Sequence, residues 1–336
     1  MQAAALAAAL PPSRLHPAAL AWAARRPRTE TWSVAFSGGA DSLALLLLLL
    51  AHWPERRARL QALHFDHRLR GRAARADAAF CRKVCAALKV KFVPGVWREA
   101  RRGASEGEAR AARLAFFGKH ARVLWLGHQQ DDIAESMLMR LARGSGSGGL
   151  AAPRPVQAMP RGRTHLRPLL TLRKAELVAA LKAAGLCWCE DATNRGEDFF
   201  RNRIRRAVLP AWVRAAQRDA LAGAALARER LEEDDAALDA WLAELRPLQR
   251  DRSLHLGVLA RKPRALLRRA LHRWLAAQPQ AGELSRQGFD ALLAALEAGR
   301  PTRQSLGSKG FAVLRGNRLR FVPVGKMRGN FKRSAN

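Results

Sequence analysis

Apolar residues recur along the first two thirds of the chain in two alternating registers. Short runs rich in Val, Leu, Phe and Trp (Thr31–Phe36, Leu60–Phe65, Val90–Val96 and Val123–Leu126) predict strands. Between them, Leu43–Ala51, Ala73–Leu88, Ser105–His120 and Asp131–Arg143 carry helical patterns. Such alternation implies βαβ crossovers, hence an α/β class, Rossmann-like parallel sheet with helices on both faces. Beyond Pro210 the pattern changes. Leu221, Ala225, Leu231, Leu238, Trp241 and Leu245 predict one long amphipathic helix over Ala211–Leu245. Helices are expected at Leu254–Leu275 and Gln287–Leu296, then a strand-like Pro301–Pro323 with turns at Gly307, Gly310 and Gly316.

A chain of 336 residues has material for two domains. The pattern divides it into an extension over 1–30, an α/β domain over 31–212, a linker helix over 213–245, and a smaller, mainly helical domain over 246–325. A basic tail over 326–336 is expected to be disordered. Charge adds a partner. Lys and Arg number 60 against 28 Asp and Glu, a net charge of +32, which calls for a polyanion, RNA or DNA. The Ala-rich start lacks the positive residues and cleavage site of an export signal, and Leu43–Ala51 is too short to span a bilayer. A cytoplasmic protein is expected, with no membrane partner. Cys81, Cys85, Cys187 and Cys189 include no C-x-x-C pair and are too few for a disulfide scaffold.

The polar clusters fall where strands end, which is where such sheets bind ligands. Ser37-Gly38-Gly39-Ala40-Asp41-Ser42 follows the first strand and opens a helix. Its glycines allow successive N–H groups to line one concavity, and the helix behind adds its positive dipole end. Ser37 and Ser42 offer hydroxyls, and Asp41 suits a polyphosphate's Mg²⁺. The segment lacks the lysine of a Walker loop and the spacing of a dinucleotide fold. It resembles the PP-loop of ATP pyrophosphatases. His64–Arg70, including His67, ends the second strand beside the expected nucleotide. Arg110 and Arg113 share one helical face. Gly127–Glu135 places His128, Asp131, Asp132 and Glu135 at a strand end and helix start, able to cap the helix, hold Mg²⁺ or handle protons. Arg143 roots a mobile glycine-rich loop, Gly144–Leu150, able to close over a substrate.

Taken in order, these blocks resemble the tRNA(Ile)-lysidine synthetase family. After them come Arg167-Pro168-Leu169-Leu170, Arg173-Lys174-Ala175-Glu176, Glu190–Asn194 and Phe199–Arg205, the last two shared by that family and by no other PP-loop enzymes. The resemblance runs from Thr31 to Trp212. It implies ligation of free L-lysine to C2 of the wobble cytidine of tRNA(Ile) with a CAU anticodon, through an adenylylated tRNA, with AMP and pyrophosphate as products. ATP would be seated by Ser37, Gly38, Gly39, Ala40, Asp41 and Ser42 with His67, Arg110, Arg113 and Arg143. Asp41, Asp132, Glu135, His128 and Arg205 are the catalytic candidates, with Mg²⁺ on Asp41 and on Asp132; base and ligand are not separable among the carboxylates. Arg110, Arg113, Arg201 and Arg205 suit phosphate or carboxylate forks, and Arg201 and Arg205 are also candidates for binding the tRNA. In the basic stripe Arg261–Arg269, Arg264 and Arg268 are placed on tRNA phosphates. A second copy of the chain is also admitted as a partner.

The chain departs from the family pattern in four places. Gln129 stands where a second histidine is usual, Ile133 where Gln is, Ala104 where Asn is, and Leu114 where Tyr is. Gln129 can donate hydrogen bonds but carries no charge. The alternatives are another PP-loop tRNA enzyme, such as a thiolating one, and a non-catalytic basic RNA-binding protein.

Overall fold

The computed structural model describes residues 2–68, 71–100, 104–190, 200–278 and 284–324. The chain divides into two compact units, Met1–Glu232 and Glu233–Asn336. The basic tail and most of the Glu190–Phe199 region lie outside the described residues.

In the first unit β1 (Trp32–Ala35) is central, and Trp32, Ser33 and Val34 are all buried, as a strand covered on both faces requires. It pairs in parallel with β2 (Leu60–Asp66) on one side and β4 (Val123–Trp125) on the other. β3 (Lys91–Val96) lies beyond β2, and β6 (Arg163–Leu166) beyond β4, both parallel. The order β3-β2-β1-β4-β6-β5 reverses direction at β1, so the crevice lies at the carboxyl ends of β1 and β4. The helices behind these strands are α3 (Ala40–His52), α4 (Arg72–Ala87), α5 (Glu106–His120) and α6 (Gln130–Leu141). The parallel α/β reading holds.

β5 (Val156–Met159) is an antiparallel edge strand that periodicity does not reveal. It is too short for a clear alternation. The available signal is the turn, where Arg161 and Gly162 both take positive φ.

Residues 1–30 are not an appendage. α1 (Gln2–Ala9), α2 (Pro17–Ala24) and the segment between them bury Leu6, Leu10, Leu15, Ala19 and Ala23 in the same core as α3 and β1. At the base of that core Trp32 meets Trp125 with ring centroids 4.7 Å apart, and Trp53 and Trp22 complete the group. Buried Arg56 lies 3.9 Å over the Trp32 ring and donates to the carbonyls of Arg26 (2.7 Å) and Pro27 (3.0 Å).

The long helix expected from Ala211 is interrupted. α10 (Leu209–Ala215) stops, Gln217 takes a φ of 49°, and α11 (Ala220–Leu245) starts afresh. Asp219 explains the restart, because its carboxylate accepts the Ala222 N–H (3.1 Å) as a cap. In the second unit, Leu254–Leu275 is not one helix. β7 (Leu254–His255) and a 3₁₀ turn precede α12 (Arg264–Ala276), whose start is fixed by Pro263. α12 and α13 (Arg286–Glu297) bury Leu266, Leu271, Trp274 and Leu293 against a four-stranded antiparallel sheet. The sheet gathers β7 with β8 (Thr302–Ser305), β9 (Gly310–Arg315) and β10 (Arg318–Pro323). Gly307 and Gly316 sit in turns, whereas Gly310 begins β9.

Two histidines buried in the first unit give the fold a pH dependence. Burial first, then Arg228 for His16 and Arg167 for His165, lower both from 6.5 to about 4. Unfolded, they take up protons near pH 6.5; folded, only near pH 4, so between these values the unfolded state binds more protons. Stability is therefore full above pH 6.5 and falls as pH drops toward 4. Melting temperatures across that window should decline, and replacing both histidines with Gln should flatten the decline.

Candidate active site

Ser37–Ser42 joins β1 to α3. Gly38 has a φ of 88°, and a Cβ there would lie 3.0 Å from Cys81 Sγ and 3.1 Å from Cys189 Sγ. Cys189 N donates to Gly38 O (2.9 Å). The cysteines that spacing leaves unrelated therefore meet at this loop. Cys81 is buried, and burial pushes its thiol far above the usual range, so it is not a thiolate. The serine hydroxyls hold the loop together. Ser42 Oγ accepts from Ser37 N (3.2 Å), donates to Gly39 O (3.0 Å), and lies 3.1 Å from Ser37 Oγ, which accepts from Gly39 N (3.3 Å).

Asp41 occupies the first turn of α3. One carboxylate oxygen, Oδ2, accepts from Lys174 Nζ at 3.1 Å, at the start of α8 (Lys174–Ala183). The other, Oδ1, is buried with no hydrogen-bond partner. Burial raises the Asp41 pKa, against the pull of Lys174. An orphaned carboxylate oxygen beside an anion cradle fits a hard divalent cation, so the residues present suit Mg²⁺ at Asp41. Ala40 is buried within that first helical turn.

The end of β4 meets this loop through Gly127. A Cβ there would lie 3.0 Å from both the carbonyl carbon and oxygen of Asp41 and 3.2 Å from Ser42 N, all backbone atoms. Next, Gln129 caps α6. Its side-chain oxygen accepts from Asp131 N (2.6 Å), and its own N–H donates to Asp132 Oδ2 (2.9 Å). In this chain the departure at Gln129 is a fully buried helix cap. Asp131 faces away from the pair beside it, and its carboxylate accepts Lys174 N (3.0 Å).

Asp132 and Glu135 form one buried pair. Arg201 donates to Asp132 Oδ1 (2.5 Å) and Glu135 Oε2 (2.9 Å). Arg205 donates to both Glu135 oxygens (2.5 and 2.9 Å) and lies 3.5 Å from Asp132. Burial works against the Arg205 charge, but Glu135 outweighs it and holds its pKa above the usual value. Arg201 lies in α9 (Phe200–Arg203), and a π-helical turn, Ile204–Val208, carries Arg205. Asp132, a candidate for Mg²⁺, has both oxygens engaged here, and Arg201 and Arg205, candidates for tRNA contact, meet these two carboxylates.

His128 precedes this pair in the chain, and its Nδ1 accepts from Arg167 Nε (3.1 Å). Burial first, then Arg167, Arg201, Arg113 and Arg110, hold its pKa well below 6.5. Arg110 and Arg113 of α5 are thus brought to the site. Two other candidates have surroundings of their own. His67 packs edge-on between Phe65 (5.0 Å) and Trp97 (6.4 Å), while His64 reaches the loop's strand at Phe36 O (2.9 Å). Arg143 is exposed, and Arg140 instead anchors the glycine-rich segment through Gly149 O (2.8 Å). That segment is partly ordered, as α7 (Ser147–Leu150). In the second unit Arg264 and Arg268 are exposed on α12, with Arg264 paired to Glu297 (2.9 Å). Arg269 of the same stripe is engaged by Asp235 (2.5 Å) and Asp239 (2.7 Å). Lys174, Arg140 and Arg167 carry site geometry that sequence reasoning missed. Lys174 and Arg167 stood within family blocks, so their signal was present without a partner to give it meaning.

Gly127→Ala should lower stability by about 1–3 kcal/mol, because backbone cannot yield to the added methyl; thermal unfolding reads the loss. Glu135→Gln leaves two guanidiniums facing a neutral amide, and denaturant titration should show a cost of about 2–3 kcal/mol, moderated by their partial exposure.

A family model described as a PP-loop domain matches residues 18–212. The tRNA(Ile)-lysidine synthase of Symbiobacterium thermophilum is 44% identical over 187 residues, 53% of this chain and 39% of that protein. That of Pseudomonas syringae pv. tomato is 38% identical over 314 residues, 86% of this chain and 67% of that protein. The chain thus spans from about two fifths to two thirds of the length of these curated relatives. Among solved structures, the U34-tRNA thiolase NcsA from Methanococcus maripaludis superposes with a TM-score of 0.48 at 16% identity, covering 61% of this chain and 73% of that one. On the domain match and the long alignment to the Pseudomonas protein, this chain belongs to the PP-loop family, among the tRNA(Ile)-lysidine synthases.

Proposed function

We propose that this chain joins L-lysine to C2 of the wobble cytidine of tRNA(Ile) with a CAU anticodon, consuming ATP and forming lysidine. The observation that carries the reading is the meeting of β1 and β4. It sets an anion loop bearing Asp41 directly against the segment that carries Asp132 and Glu135. In the proposed reaction cytidine O2 attacks the α-phosphorus of ATP and pyrophosphate leaves. The lysine amine, having lost a proton, then attacks C2, and the C2–O2 bond breaks to release AMP.

The residues suit these steps. The loop amides and the α3 dipole face developing pyrophosphate charge. Mg²⁺ held by Asp41 would neutralise phosphate charge. Asp132 and Glu135 already serve as a cation site, since two guanidiniums occupy them, and lysine's ammonium is the substrate group that such a pair attracts. Its entry requires one guanidinium to yield part of its hold. The net charge of +32 and the exposed Arg264 and Arg268 suit tRNA as the partner. Cytoplasmic tRNA is the substrate pool this reading requires. Separately, no helix among the described residues is long and apolar enough to cross a membrane.

The test is incorporation of labelled lysine into a CAU-bearing isoleucine tRNA transcript with ATP and Mg²⁺. A transcript with another anticodon should stay unlabelled, and failure of both with intact protein overturns the reading. Asp41→Ala should reduce pyrophosphate release on the order of 10²–10³-fold while tRNA still binds. Loss of tRNA binding instead would make Asp41 a structural residue.

A further inference from the structure

Arg167 has no role in the chemistry above, yet few side chains of the first unit are held at more points. It follows β6 directly and is 6% exposed. Its backbone N–H donates to Pro155 O (2.8 Å), Nη1 to Arg154 O (2.8 Å) and Nη2 to Gln157 Oε1 (3.1 Å). These bonds tie the guanidinium to the β5 edge and leave Nε aimed at His128, where it meets Nδ1 at 3.1 Å.

That contact fixes a proton. A guanidinium has five N–H donors and no acceptor, and it keeps its charge at any working pH. Nδ1 of His128 must therefore supply a lone pair, so the single proton of a neutral imidazole sits on Nε2. An imidazolium would place N–H against N–H and cation against cation. The surroundings agree from every side that bears charge on the ring. Arg110 and Arg113 come from α5, Arg201 from α9, and Arg167 from the end of β6. The ring is half-buried, and among the described residues no hydrogen bond engages Nε2, which leaves its N–H for a substrate acceptor.

We propose that Arg167 is a positioning residue that locks His128 as a neutral Nε2–H donor, which hydrogen-bonds an acceptor of the substrate and takes no proton from it. The group it suits is a base carbonyl, a ring nitrogen or a phosphate oxygen. This reassigns His128 from the proton handling suggested by its neighbours and leaves that work to the Asp132–Glu135 pair. The identity of the substrate rests on the lysidine-forming reading; the tautomer does not. Gln157 and the Arg154 carbonyl matter here as well, because they fix the angle at which Arg167 presents Nε.

Full-length protein labelled with ¹⁵N-histidine gives the direct readout through two-bond proton–nitrogen spectra, with His128→Gln identifying the His128 signals among the nine histidines. The expected pattern is a protonated Nε2 and a lone-pair Nδ1, persisting as pH falls through 6.5. Arg167→Met should give mixed tautomers, let His128 protonate near that ordinary value, and shift the pH profile of kcat/KM for lysidine formation. Arg167→Lys, which restores a charge and a donor, should move both readouts back toward wild type. A wild-type Nδ1–H or imidazolium signal overturns the proposal. So does a folded Arg167→Met protein that keeps both the tautomer and the pH profile. If that variant does not fold, the wild-type spectrum decides. Wild-type protein that shows the Nε2–H form but incorporates no lysine would remove the substrate reading and leave the Arg167–His128 assignment standing.

Discussion

Two carboxylates at the start of α6 cannot be left alone. Glu135 is 1% exposed and Asp132 6%, and charge at such depth costs several kcal/mol unless it is both paired and hydrogen-bonded. Much of the first unit answers that demand. The Gln129 amide and the guanidiniums of Arg201 and Arg205 supply the donors, and a π-helical turn follows α9 where the second arginine is presented. Positive charge accumulates around the pair until it suppresses protonation of His128 and draws Arg167 down to about 10, burial acting first in both. A hydrophobic replacement would serve stability as well. What it would lose is a place where a cation is welcome.

Asp41 presents the complementary case. Its carboxylate is half satisfied, with Lys174 on one oxygen and nothing on the other. Lys174 is substantially exposed, so the pair is weak enough to be exchanged. Because Gly127 lets β4 approach to contact distance, this unsettled acid and the settled pair share one crevice.

The sheet was legible because each parallel strand is a dense apolar run, and burial on both faces leaves that mark. The edge hairpin β5–β6 was not legible, since short half-exposed strands carry little pattern. The break before α11 was equally hidden: Asp219 looks like any surface acid until it caps a helix. At the site, Asp41, Asp132 and Glu135 could be picked out by residue type and position after a strand. Their partners could not. Arg201 was left open between phosphate and carboxylate, because an arginine's type says nothing of which anion it meets. Gln129 was read as a gap in the chemistry, when the fold uses it as a cap.

The distance along the chain between these partners has a consequence for synthesis. The bonds from Arg205 to Glu135 span 70 residues, and the Lys174–Asp41 bond spans 133. Local helices and the β1–β2–β3 half of the sheet can form as the chain emerges, whereas these long closures wait for late segments. A nascent chain that has completed α6 already holds Asp132 and Glu135 but lacks the arginines that make their burial tolerable. Such a chain cannot seal its crevice, and a truncated product is left open at the site itself. The charge network is in this sense a completion signal, closed by turns that follow the whole sheet of the unit it serves.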